Sequence, residues 1–218
     1  MSTSLIRRGV AALATLLACH AGATVVTFDE RSHDADFATF NPVTSAGFSF
    51  SNDCDSSTDC LAAWGRDHEY QGDPGQAALF TNYWGTTTTM SRVGGGAFDL
   101  VSIDFGDVLN AGASVQLSLG FLFVDGHSQV LQTWLDFEPG LQTLVFDLRG
   151  LQSVSWSTVD GANGYNQFDN IVASAVLPEP SAPLLVLTAL AAAGGLSRRR
   201  HGSPRQGAGR RGSACGRG

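Results

Sequence analysis

Lysine is missing from all 218 residues, so the 13 cationic side chains are arginines. Nine of these stand before Asp29 or after Glu179, whereas all 20 acidic residues lie between those two positions. From Thr24 to Val176 there are 19 carboxylates against Arg31, Arg66, Arg92 and Arg149, a net charge of −15. Such a surface repels phosphate backbones and excludes nucleic acid as a partner. Catalytic signatures are lacking as well. There is no HExxH and no G-x-S-x-G, and His33, His68 and His127 are scattered. Asp67, His68 and Glu69 are adjacent, but neighbours on a strand point to opposite faces. With so many carboxylates some pair always suits glycoside hydrolysis, so no pair is informative. Nothing points to an enzyme, and a secreted polysaccharide hydrolase is the weakest of the readings.

Long apolar runs are also missing. Val10 to Ala18 is short, follows Arg7 and Arg8, and precedes Ala21-Gly22-Ala23, the three parts of a secretory signal cut before Thr24. Leu16-Leu17-Ala18-Cys19 resembles a lipobox, but its second leucine fits poorly and the A-x-A site favours plain cleavage. One folded domain is expected over residues 24–176, preceded by a signal peptide at 1–23.

Cysteine is scarce, and export changes how it reads. Cys54 and Cys60 enclose "DSSTD", and two thiols this close pair in an oxidising compartment. The closed loop stabilises by roughly 2 to 2.5 kcal/mol on the chain-entropy model. Asp53, Asp55, Ser57 and Asp59 alternate like the first ligands of a calcium loop, yet Thr58 replaces the glycine and Trp64 the glutamate. A solvated acidic loop is the simpler account.

No long amphipathic helix is legible between the termini. Strand-like runs are: Thr24 to Asp29, Ala46 to Ser51, Ala77 to Thr81, Phe98 to Phe105, Val115 to Val124, Gln129 to Phe137, Leu141 to Leu148, Leu151 to Ser157 and Gln167 to Ala175. A phase shift at Val101-Ser102 in "FDLVSIDF" predicts a bulge or a doubly buried strand. Asp125-Gly126 between two of these runs predicts a hairpin, with His127 solvated at its tip. The pattern predicts an all-β protein, an antiparallel β-sandwich of jelly-roll type.

Residues 52–96 read as long loops on that scaffold, where binding side chains tend to sit. Trp64, Tyr70, Tyr83 and Trp84 fall there and are candidate carbohydrate contacts; the competing reading buries the rings under the loops. In "GYNQFDNIVAS" Phe168 and Ile171 face the core from either side of a bend. If the terminal strands pair, Asp29, Glu30 and Asp169 converge, and their oxygens suit calcium; turn capping explains each singly.

After Val176 the composition changes. Pro178 and Pro180 break the last strand. The 13 uncharged residues from Leu184 to Leu196 span about 20 Å as helix against a hydrocarbon core of about 30 Å. Arg198, Arg199 and Arg200 hold that end in the cytoplasm, which places the acidic domain outside. Pro178-Glu179-Pro180, the apolar segment and the arginine cluster together resemble the PEP-CTERM sorting signal of exported proteins in Gram-negative bacteria that make extracellular polysaccharide. The resemblance covers Pro178 to Arg200, and "TVVTFD", "FDLVSIDF" and "FDNI" are similar to that group's sandwich domains. It implies recognition of Pro178, Glu179 and Pro180 by an exosortase-type transpeptidase in the inner membrane, then delivery to the cell surface or matrix. The chain departs from the family by running on through a basic, glycine-rich tail at 201–218, expected to be disordered and cytoplasmic.

The sequence thus predicts an exported, non-catalytic β-sandwich, processed by signal peptidase and exosortase, held transiently in the inner membrane, with extracellular polysaccharide as candidate partner. The alternative is a calcium-stabilised structural or adhesion module.

Overall fold

The computed structural model describes residues 22–159 and 165–176. The chain divides after Leu177 into two units, and the described residues all belong to the first. Pro178, Glu179, Pro180, Arg198, Arg199 and Arg200 lie outside the described residues, as do the signal peptide core and the tail. Among the described residues no helix is long and apolar enough to cross a membrane.

Among the described residues there are twelve antiparallel strands and one 3₁₀ turn: β1 (Thr24–Val26), the turn Asp29–Arg31, β2 (Phe37–Phe40), β3 (Val43–Ser45), β4 (Phe48–Asn52), β5 (Leu61–Trp64), β6 (Leu79–Thr81), β7 (Thr88–Arg92), β8 (Phe98–Asp107), β9 (Gln116–Phe123), β10 (Ser128–Trp134), β11 (Gln142–Thr158) and β12 (Asn166–Ala175). The hydrogen-bonded order is β2-β5-β6-β12-β8-β11-β7-β4-β3, with β1 on β12 and β9 between β11 and β10. The 17-residue β11 carries the chain between layers: Gln142 to Leu151 pairs with β8, and Leu151 to Thr158 pairs with β9. The turn from one layer to the other is made at β-bulges, where Asp147 and Gly150 take positive φ of 50° and 70°. The two runs expected at Leu141 to Leu148 and Leu151 to Ser157 are therefore one strand.

Aromatic rings from facing strands close the sandwich. Trp156 on β11 meets Phe168 on β12 edge-on at 4.8 Å and Phe105 on β8 at 5.7 Å, while Phe48 on β4 meets Phe98 on β8 at 5.3 Å. Edge-to-face pairs of this kind add about 0.5–1.5 kcal/mol to their area burial. The bulge expected in "FDLVSIDF" is there: Val172 pairs Ser102 and Ala173 pairs Leu100, which leaves Val101 extra. The Asp125-Gly126 hairpin is there as well, with Phe123 N–H donating to His127 and Gly126 at φ 88°. His127 stacks on Phe123 at 3.9 Å and pairs with Asp125 at 2.6 Å. One buried amide ties the loops to the scaffold: Gln167 donates to the carbonyls of Tyr70, Asp107 and Val108 and accepts from Gly72 N–H.

Candidate functional site

Three clusters hold the side chains singled out in the sequence. The first is built by the disulfide. Cys54 and Cys60 are bonded, with their Cα atoms 5.7 Å apart. This staples the loop against the turn before β7: Tyr83 donates its hydroxyl to Asp59 at 2.9 Å, Thr87 N–H donates to Asp53 at 2.6 Å, and Thr86 donates to the Tyr83 carbonyl at 2.7 Å. Hydrogen bonds from Ser56 and Tyr83 hold the Asp59 carboxyl below its usual range, and the same contact raises the Tyr83 phenol. Between loop and turn lies an open cleft of about 440 Å³ lined by Asp53, Asp55, Ser56, Tyr83, Trp84 and Thr86. Trp84 is 64% exposed in it and Tyr83 41%. An exposed aromatic face can stack on the C–H face of a sugar ring while neighbouring carboxylates accept hydrogen bonds from its hydroxyls.

The other two aromatic candidates are elsewhere. Trp64 is not in a loop but ends β5, where its indole N–H donates to the Val108 carbonyl at 2.9 Å and its ring stacks on Phe80 at 5.0 Å and His68 at 4.7 Å. Tyr70 packs edge-on against Trp64 at 5.4 Å. These two rings are half-buried and brace the 64–76 loop, so the four aromatics form two groups.

The third cluster surrounds Asp169. Val26 on β1 lies opposite Ile171 on β12, so the chain beyond β1 runs on toward Asp169, and Phe28 seats its ring on Phe168 at 5.7 Å. Asp29, exposed, lies close enough to act on the Asp169 charge. Glu30 is not part of the group: it is exposed, with Arg31 at 4.0 Å. Asp73 takes its place, a residue the sequence did not single out, held by Gln76 at 3.2 Å and by Asn170 at 3.4 Å. Asp169 itself is fully buried, and neither carboxylate oxygen has a donor in bonding geometry. Burial pushes its carboxyl up to about 8; the Asn170 backbone N–H opposes this, and the Asp73 and Asp29 charges add to it. Asn170 stands on a bulge at φ 47°. Among the described residues no three His, Cys, Asp or Glu side chains enclose an ion by themselves. An ion here would take carboxylates from Asp169 and Asp73 and complete its shell with carbonyls and water, as hard cations do.

No family model and no curated protein matches the chain. Among solved structures, similarity is found to a family 32 carbohydrate-binding module of C. perfringens NanJ in complex with galactose, at 11% identity over 69% of this chain and 99% of that one, TM-score 0.38. A variant of a family 29 carbohydrate-binding module shows 13% identity over 74% and 99%, TM-score 0.38. The module TmCBM61 in complex with β-1,4-galactotriose shows 10% identity over 60% and 90%, TM-score 0.37. At these scores the sandwich architecture rests on the chain's own strand pairing and ring contacts.

Proposed function

We propose that this is an exported, non-catalytic β-sandwich of jelly-roll type that binds neutral polysaccharide at the cell surface or in the extracellular matrix. The observation carrying the binding reading is Trp84, 64% exposed on the wall of the disulfide-braced cleft. Its neighbours Asp53 and Asp55 accept hydrogen bonds from sugar hydroxyls and repel uronate or sulfate groups, so uncharged glycans are preferred. The Cys54–Cys60 disulfide supports an oxidising compartment. Delivery is assigned to signal peptidase before Thr24 and to an exosortase-type enzyme of the inner membrane reading Pro178, Glu179 and Pro180, with Arg198, Arg199 and Arg200 stopping transfer. Retention on immobilised neutral glycans tests the binding reading, and capture by none of a broad panel would end it. The mass of the mature chain from membrane and medium fractions tests delivery. A released form ending near Pro178 is expected, and an intact C-terminus in the membrane would contradict it.

A second reading, compatible with the first, is calcium stabilisation. It rests on the two donor-less oxygens of buried Asp169 beside Asp73, with exposed Asp29 nearby. A divalent cation there would offset the charge of the two carboxylates and complete its shell with carbonyls and water. A rise in melting temperature on adding calcium to chelated protein is expected; no shift would end this reading.

A further inference from the structure

In a domain of net charge −15, strand β10 is neutral. Its sequence, "SQVLQTW", contains no charge, no proline and no glycine, and six of its seven residues are exposed. Among the described residues β10 pairs with β9 alone. The ladder between them is bracketed by Phe123 N–H donating to His127 and Leu135 N–H donating to Val115. With alternate residues bonded, Gln129, Leu131 and Thr133 turn their backbone groups to β9, and Ser128, Val130, Gln132 and Trp134 turn theirs outward. Sheet edges are normally guarded by charge, proline, a bulge or shortness, and β10 has none of these. It also leaves Val130 73%, Leu131 43% and Trp134 56% exposed.

We propose that the β10 edge is a self-association site, at which two copies of the chain join strand to strand, antiparallel, about a two-fold axis at Leu131. In that register Ser128 lies opposite Trp134 of the second copy and Val130 opposite Gln132. All four outward N–H groups and all four outward carbonyls of each strand are satisfied, and the two Leu131 side chains meet on the face they share with core residue Leu119. Shifting the register by two residues leaves a backbone pair unmet at each end. The occupant is a second copy because the edge is self-complementary in this one register. β10 itself sets no carboxylate against its partner, and Asp125 and Asp136 flank the pairing at its two ends. Pairing would double the glycan clefts per particle and raise avidity on a polymer, although the edge requires nothing of the glycan reading.

The test is sedimentation of the purified full chain, free thiols alkylated, across a concentration series, with amide hydrogen exchange read in parallel. Gln132→Pro removes an outward N–H while sparing the β9 ladder, and Leu131→Lys sets two like charges face to face on the axis. The expected result is a wild-type dimer whose Ser128, Val130, Gln132 and Trp134 amides gain protection as concentration rises. Loss of the dimer is expected in both variants, with melting temperatures near that of the dissociated wild type. Should Gln132→Pro fail to fold, Leu131→Lys decides alone. A wild type that stays monomeric overturns the proposal, and so does a dimer persisting in Leu131→Lys. Protection that does not depend on concentration would assign the edge to a segment of the same chain and overturn it equally.

Discussion

Replacing Asp169 by asparagine keeps the shape of the side chain and removes its capacity for charge, which makes the sign of the result informative. The carboxyl rises from 3.8 to about 8 in the folded state, because the site is buried and faces Asp73 and Asp29. The folded chain thus holds the proton more tightly than the unfolded chain. Below about pH 4 both states are protonated and the site costs nothing; between about 4 and 8 stability falls as pH rises, by up to roughly 1.4 kcal/mol per pH unit. The loss is complete above about 8, and near neutrality it amounts to about 4 kcal/mol. In chelator at pH 7.5 the Asp169→Asn protein is therefore expected to be more stable than wild type by several kcal/mol, with a flatter profile from pH 4 to 8. Calcium narrows the gap if it binds. At a hundredfold excess over its Kd it adds about 2.7 kcal/mol to wild type and nothing to the variant. Urea unfolding followed by tryptophan fluorescence, with and without chelator, measures both effects. Equal stability of the two proteins in chelator at every pH would refute the electrostatic account of the pocket. Equal calcium shifts in the two would refute the cation.

Two further expectations follow from the scaffold. Cys54→Ser with Cys60→Ser should lower unfolding free energy by roughly 2 to 2.5 kcal/mol on the chain-entropy model and weaken any glycan binding, since Asp59 and Tyr83 lose their brace. Gln167→Leu leaves the Tyr70 carbonyl and the Gly72 N–H short of partners, while Val108 keeps the Trp64 indole and Asp107 the Asn110 N–H, and should cost about 2 kcal/mol, with faster exchange at Gly72.

The features legible in the sequence were those with a local cause. Asp125-Gly126 set a hairpin, two close thiols set a disulfide, and the phase shift at Val101 marked a bulge. What escaped had its cause in distant partners. β5, "LAAW", has two alanines and little intrinsic strand preference, yet Leu61, Ala62 and Ala63 are wholly buried between β2 and β6. β7 reads as a polar loop, but its threonines lie between β4 and β11, with Thr88 and Met90 facing inward. The short β2 and β3 were missed likewise, and with β5, β6 and β7 in it the stretch 52–96 is less irregular than expected. The same holds for the sites. Asp29 lies near Asp169 because terminal strands pair, a rule visible in advance, whereas Asp73 joins from 97 residues before Asn170 through a loop that Gln167 positions. Trp64 and Trp84 look alike in sequence. Only the acceptor at Val108 and the stacking on Phe80 show that Trp64 is bracing the fold, whereas Trp84 is the exposed ring.

The glycan cleft is tested most directly by titrating the best-retained neutral glycan into wild type, Trp84→Ala and Trp64→Ala, with unfolding measured on each. Losing a stacking ring that dominates its site costs about 2 kcal/mol, roughly 30-fold in Kd. The expected result is that loss in Trp84→Ala with stability unchanged, and lowered stability in Trp64→Ala with Kd unchanged in the folded fraction. Unaltered affinity in Trp84→Ala would contradict the account.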